Sequence, residues 1–299
     1  MKTIVPNYYK NFRCIAQECR HNCCIGWEID IDEDTLSLYD NVKKSFKKRL
    51  DEGINRNDEC ACFKLDGKGR CAFLNENNLC EIILNLGEDA LCQICTDHPR
   101  FRNYYSDRIE MGLGLCCEEA GRIILSQKEK FALEIIDYDG IDAQSTEDEN
   151  DFFDFRDCIF DAINEGKSIL TFCDNNFPEK TVLQWADIYL SLERLDEHWT
   201  ILLNDLKFTD IEDTTIPVKF DNCFKNLLTY FVYRHLNDFS DEKDLMFIHL
   251  CCETIKNICK MHIKKYRKLT LDDIIEYSRM YSSEIEYSDE NKEKIIDTL

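Results

Sequence analysis

Apolar residues change their rhythm along this chain. From Asp34 to Asp51, Leu36, Leu38, Tyr39, Val42, Phe46 and Leu50 fall mostly three and four apart, and Lys43, Lys44, Lys47, Lys48 and Arg49 occupy much of the rest. That spacing predicts an amphipathic helix with a basic, solvated face. Elsewhere before Cys117 the apolar pieces are short. The turn signals Asn57-Asp58 and Asp66-Gly67-Lys68-Gly69 flank pieces around Cys62 and Cys71, where short strands or a hairpin are expected. Leu79, Ile82, Ile83 and Leu86 predict a helix within 79–95, interrupted near Gly87, and Pro99 ends any regular structure that continues.

Beyond Cys117 the helical period takes over. Ala120, Ile123, Ile124, Leu125, Phe131, Ile135 and Ile136 predict one helix from Glu118 to Tyr138, followed by a linker or exposed loop at 139–150. Further helices are expected at 151–165, 179–205, 219–238, 242–265, 271–282 and 284–298, where Gly and Pro are nearly absent. The fold class expected is mainly α: an irregular, cysteine-rich, metal-binding N-terminal domain over 1–125, followed by an acidic helical bundle over 126–299. No internal repeat at solenoid period is present.

Charge narrows the partners. The 299 residues carry a formal charge of −22, spread unevenly: residues 1–117 hold 16 basic against 19 acidic side chains, leaving 21 against 40 for the rest. Binding to nucleic acid or to an anionic membrane surface needs basic surface, so neither partner is expected. The acidic excess is read first as serving solubility, with a basic protein or a lysine-bearing substrate as the partner it would suit. Met1 to Lys10 has no apolar stretch of the kind a signal peptide requires, and no run approaches the ~20 apolar residues of a membrane span. The expectation is a soluble, cytoplasmic chain with reduced thiols.

Twelve of the eighteen cysteines lie within the first 117 residues. Thiolates bind borderline and soft ions, and four within reach make either a tetrahedral zinc site or the cradle of an iron–sulfur cluster. The chain has one CxxC pair, Cys92-Gln-Ile-Cys95, where zinc ribbons present two. Cys14, Cys19, Cys23 and Cys24 do not form the CxxxCxxC pattern of radical-SAM enzymes, and Gly112-Leu-Gly114 lacks the third glycine of a dinucleotide loop. Cys158, Cys173, Cys223, Cys251, Cys252 and Cys259 sit at or near apolar positions of predicted helices and are read as core. His21 and His98 lie inside the cysteine-rich region, where they are read as ordinary histidines before metal ligands.

Four ordered segments carry a resemblance: Cys14-x4-Cys19-x3-Cys23-Cys24-x2-Trp27, Gly69-Arg70-Cys71-Ala72-Phe73-Leu74-Asn75-x3-Leu79-Cys80, Cys95-x2-His98-Pro99-Arg100 and Cys117-Glu118-Glu119-Ala120-x-Arg122. Over residues 1–125 they resemble the flagellin lysine-N-methylase family, within the wider zinc- or iron-chelating CxxCxxCC cysteine-cluster group. The resemblance implies methyl transfer from S-adenosylmethionine to lysines of flagellin or another lysine-bearing protein, with a [4Fe–4S] cluster required. It also implies Cys14, Cys19, Cys23, Cys24, Cys71, Cys80, Cys95 and Cys117 as the metal-binding cysteines, with Cys60, Cys62, Cys92 and Cys116 as extras. Eight thiols allow one cluster plus a zinc, two clusters, or one cluster with spare thiols. Tyr104, Tyr105 and Asp107 are candidates for taking the lysine proton, and Arg100 and Arg102 for holding a carboxylate. The competing reading is a noncatalytic zinc- or iron-binding protein: a metal or redox sensor, or an interaction module on a helical bundle.

Overall fold

A computed structural model describes residues 1–43, 45–56, 60–239 and 242–299; Lys44 of the expected basic face and the Asn57-Asp58 turn signal lie outside the described residues. The chain forms two compact units, one of Arg13–Arg100 and one of Met1–Phe12 with Phe101–Leu299. Of the stretch expected as an N-terminal domain over 1–125, residues 13–100 form the smaller unit. The first strand, β1 (Lys2–Pro6), pairs with strands that follow Arg100, which draws the N-terminus and residues 101–125 into the helical unit.

The smaller unit holds, in order, β2 (Asp30–Ile31), α1 (Glu33–Asp40), α2 (Phe46–Gly53), β3 (Ile54–Arg56), β4 (Ala61–Phe63), α3 (Glu81–Leu86) and α4 (Gln93–Asp97). Its strands form an antiparallel sheet in the order β2-β4-β3, so the expected strand at Cys62 is present. Around Cys71 there are only isolated bridges, Ile25 to Arg70 and Leu65 to Cys71. The single helix expected over 34–51 is two. Asn41 ends α1 by turning its side-chain amide onto the Ser37 carbonyl at 2.8 Å, a local bond that competes with helix continuation. Tyr39, Leu50, Phe63 and Phe73 fill the core, with the rings of Phe63 and Phe73 edge to face 5.1 Å apart. Gly53 is required there, because a Cβ at that position would lie 2.5 Å from the Phe73 ring.

The larger unit adds β5 (Arg100–Tyr104), β6 (Arg108–Leu113), α5 (Glu118–Leu125), β7 (Leu133–Tyr138), α6 (Glu147–Asn164), α7 (Val182–Ser191), α8 (Glu197–Phe208), α9 (Asp221–His235), α10 (Lys243–Tyr266), α11 (Leu271–Tyr281) and α12 (Asp289–Asp297). Its sheet runs β5-β6-β1-β7, with β1 parallel to β6 and antiparallel to β7. The helix expected over 118–138 is therefore α5 followed by a strand. Ile135 and Ile136 satisfy a helical spacing, but their β-branched side chains also suit a strand, and pairing with β1 decides the matter. The segment expected as one helix over 179–205 breaks at Leu192, and the Asp196 side chain starts α8 by accepting the His198 N–H at 2.8 Å. The mainly α character holds, and no helix among the described residues is long and apolar enough to cross a membrane.

Helix α10 runs through the middle of the bundle, with Phe247, Ile248, Cys251, Ile255, Ile258 and Cys259 fully buried. Cys223 and Cys252 join them as core thiols, Cys173 is half-buried, and Cys158 is exposed, against the expectation that all six are core. Beyond α11 the chain makes a π-helical turn, Ser282–Glu286, which carries a buried carboxylate inward. Glu286 lies 3.1 Å from Arg234 Nε, accepts from Tyr230 Oη at 3.0 and 3.2 Å, and meets His235 Nε2 at 2.7 Å. Burial pushes this carboxyl up, but Arg234 and His235 outweigh it and hold it at about 2. Burial likewise lowers His235 to about 4, so the ring is neutral at physiological pH.

Candidate functional site

The backbone of the smaller unit brings cysteines together by a few short bonds. The Cys71 N–H donates to the Cys24 carbonyl at 2.8 Å, seating the second half of the vicinal pair beside the 71–80 segment. That segment is a compact loop. Asp66 receives the Lys68 N–H at 2.7 Å and the Arg70 N–H at 3.0 Å, while Gly69, at φ +72°, turns the chain as only glycine does readily. Arg70 then clamps the next turn through the Asn75 carbonyl at 3.0 Å and Asn78 Oδ1 at 2.9 Å. Arg49, from α2, holds the loop's far side by donating to the Ala72 carbonyl and to Glu81 Oε2.

Helix starts place the remaining thiols. Cys80 is the N-cap of α3 and Cys92 the N-cap of α4, with Cys95 one turn further on. Asp32 ties α4 to α1: one oxygen accepts the Thr35 N–H at 2.9 Å, the other the Gln93 N–H at 2.8 Å. Tyr39 shares the buried core of this unit with Cys92, against which Cys80 and Cys95 pack, and its hydroxyl donates to the Ala90 carbonyl at 2.7 Å.

Several of these sulfurs receive backbone N–H groups: Cys71 from Phe73, Cys80 from Ile82 and Ile83, and Cys92 from Cys95. Such donors favour the thiolate. Burial works the other way, pushing Cys71 up to about 11 and raising Cys80. Cys92 and Cys95 hydrogen-bond one another, which lowers Cys92 and, with burial, strongly raises Cys95; Cys24 and Cys71 add to that rise. Cys23 hydrogen-bonds Cys24, which raises it, while His98 beside it pulls the other way.

Of the eight expected cysteines, Cys24, Cys71, Cys80 and Cys95 thus share one neighbourhood, with Cys23 at its margin next to His98. Cys14 and Cys19 engage their own segment: Cys14 Sγ accepts the Ala16 N–H at 3.4 Å, and the Cys19 thiol donates to the His21 carbonyl at 3.2 Å. Cys117 belongs to the other compact unit, as the N-cap of α5. Cys92, which the resemblance implies to be an extra, sits among the gathered thiols, and its CxxC spacing to Cys95 is the sequence signal for including it. Among the described residues no group of three or more His, Cys, Asp or Glu side chains is arranged to hold a metal ion, so these sulfurs are neighbours without a formed coordination shell.

The other candidates are scattered. Tyr104 is exposed, whereas Tyr105 packs on Phe152 and Phe153 and meets Arg156 at 3.4 Å. Asp107 is buried against Arg108 at 2.8 Å, and Arg100 donates to the Thr96 carbonyl at 2.9 Å. Arg102 is half-buried in β5.

Over 134 residues the chain is 29% identical to proteins named lysine-N-methylase from Salmonella choleraesuis and Salmonella typhimurium, a stretch that covers 43% of this chain and 33% of each of those. It is 28% identical over 134 residues to the flagellar biosynthetic protein FliU of Salmonella muenchen, covering 79% of that protein. The matched stretch thus spans about a third of the length of the lysine-N-methylases. No family model matches the chain, and neither does any solved structure.

Proposed function

We propose that this protein is a lysine N-methyltransferase that modifies flagellin or another lysine-bearing protein, with S-adenosylmethionine as donor and an iron–sulfur cluster bound by its cysteines. The observation that carries the reading is the similarity to proteins named lysine-N-methylase. The chemistry of the donor set suits a soft or borderline metal: backbone N–H groups beside Cys71, Cys80 and Cys92 favour the thiolate form that a metal binds. Cys24, Cys71, Cys80 and Cys95 would hold it, with Cys92 in reach. Such a cluster would supply electron-transfer or Lewis-acid chemistry beside the donor. In the transfer itself the S–CH3 bond breaks and an N–CH3 bond forms, so the lysine must arrive as a neutral amine and its proton must leave. The acidic helical unit supports a basic partner.

The deciding experiment measures iron, acid-labile sulfide and zinc per chain after anaerobic purification, then methyl-lysine in flagellin incubated with S-adenosylmethionine. About four irons and four sulfides with methyl-lysine formed is the expected result. Zinc without sulfide, and no methyl transfer, would replace this reading with a noncatalytic zinc protein.

A further inference from the structure

We infer that the free edge of β7 docks an extended, lysine-bearing segment of a partner protein, which joins the sheet as a further strand. The four-stranded order β5-β6-β1-β7 leaves β7 paired on one side only, and no strand among the described residues pairs with its other side. Residues Glu134–Tyr138 are all exposed, including Ile135 at 58% and Tyr138 at 51%, and Ile141 beyond them is 60% exposed. Proteins usually blunt such an edge with lysine, proline or a covering element, because open backbone groups beside apolar side chains invite another strand. Here Leu133-Glu-Ile-Ile-Asp-Tyr138 contains neither lysine nor proline, and a single register shift opposite Thr3 and Ile4 is its irregularity.

Charge selects the occupant. From Leu133 to Asp142 there are four acids and no base. Lys10 pairs with Glu134 at 3.2 Å and the Met1 amine with Asp139 at 2.6 Å, but among the described residues Asp137 and Asp142 form no ion pair. A second copy pairing about a two-fold axis would set these acids on one short ladder, in chains of −22 each, and like charges facing across strands are destabilising. A strand alternating apolar residues with lysine meets both features: backbone bonds supply affinity, apolar side chains cover Ile135 and Tyr138, and lysines face the acids. The inference deepens the proposed function by naming how a lysine-bearing protein is held, and binding needs neither methyl donor nor metal.

The test uses the full chain and a short fluorescein-labelled peptide of alternating valine and lysine, with a valine–glutamate peptide as control, read by anisotropy and by amide exchange. Binding about tenfold tighter than the control, weakened by salt, with protection confined to the amides of 133–138 is the expected result. Asp137→Lys and, separately, Ile135→Lys, both at exposed positions, should weaken binding about fivefold or more with unchanged circular dichroism. Absence of binding, or binding without protection of β7, overturns the inference; concentration-dependent dimers that protect the same amides assign the edge to a second copy instead. These readouts stand whether or not methyl transfer is found, so the two readings fail separately.

Discussion

Glu286 sets the acid sensitivity of the larger unit. Its folded pKa lies near 2 and that of His235 near 4, each below the ordinary value for its type. Both groups therefore bind fewer protons folded than unfolded, and each contributes stability that is present above its unfolded pKa and lost as pH falls through its folded one. His235 acts between about pH 6.5 and 4, Glu286 between about 4.5 and 2. Melting temperature should fall across both windows on acidification, followed by circular dichroism; a flat profile down to pH 4 would dismiss the His235 contribution. Replacing Glu286 by Gln strands the Arg234 guanidinium without its partner and should cost about 3–5 kcal/mol in denaturant unfolding, since a buried charge cannot recover its lost solvation. None of this was legible from sequence, where Glu286 reads as one acid among many in an acidic tail; only the π turn aims it inward.

At the level of elements, the apolar period placed most of the bundle correctly, as with α9, α10 and α11, because a long helix buried along one face must repeat every three to four residues. It failed where two periods fit the same residues. Ile135 and Ile136 suit both, and the distant partner β1 is invisible from local spacing. Ends were also missed where a cap carried them: Thr146-Glu-Asp-Glu149 is a complete capping box, so α6 begins at Glu147 within the stretch read as a loop at 139–150. Thr181 with Gln184 and Thr270 with Asp273 form the same reciprocal pair. Thr270→Ala removes the acceptor for the Asp273 N–H and should lower stability by about 1 kcal/mol, with the bundle otherwise intact; a change within error in urea unfolding would show that Asp273 alone suffices.

For the whole molecule, the two compact units rest on unequal cores. The larger buries its helices around α10 with many aromatic side chains, whereas the smaller has short strands and short helices around Tyr39, Leu50, Phe63 and Phe73, with thiols completing its interior. A small core yields little net stability, and a metal held by thiols from 24 to 95 would cross-link most of that unit's length. Chelation under reducing conditions should therefore abolish amide protection within Arg13–Arg100 while α10 keeps its own. Cys92→Ser and Cys71→Ser should each lower metal per chain, whereas Cys223→Ser, whose sulfur is buried in the helical core, should leave it unchanged. Equal loss of protection in both units would mean that the bundle depends on the metal as well. Unchanged protection in both would mean that the smaller core stands on its own packing, and the gathered sulfurs would then owe their places to burial alone.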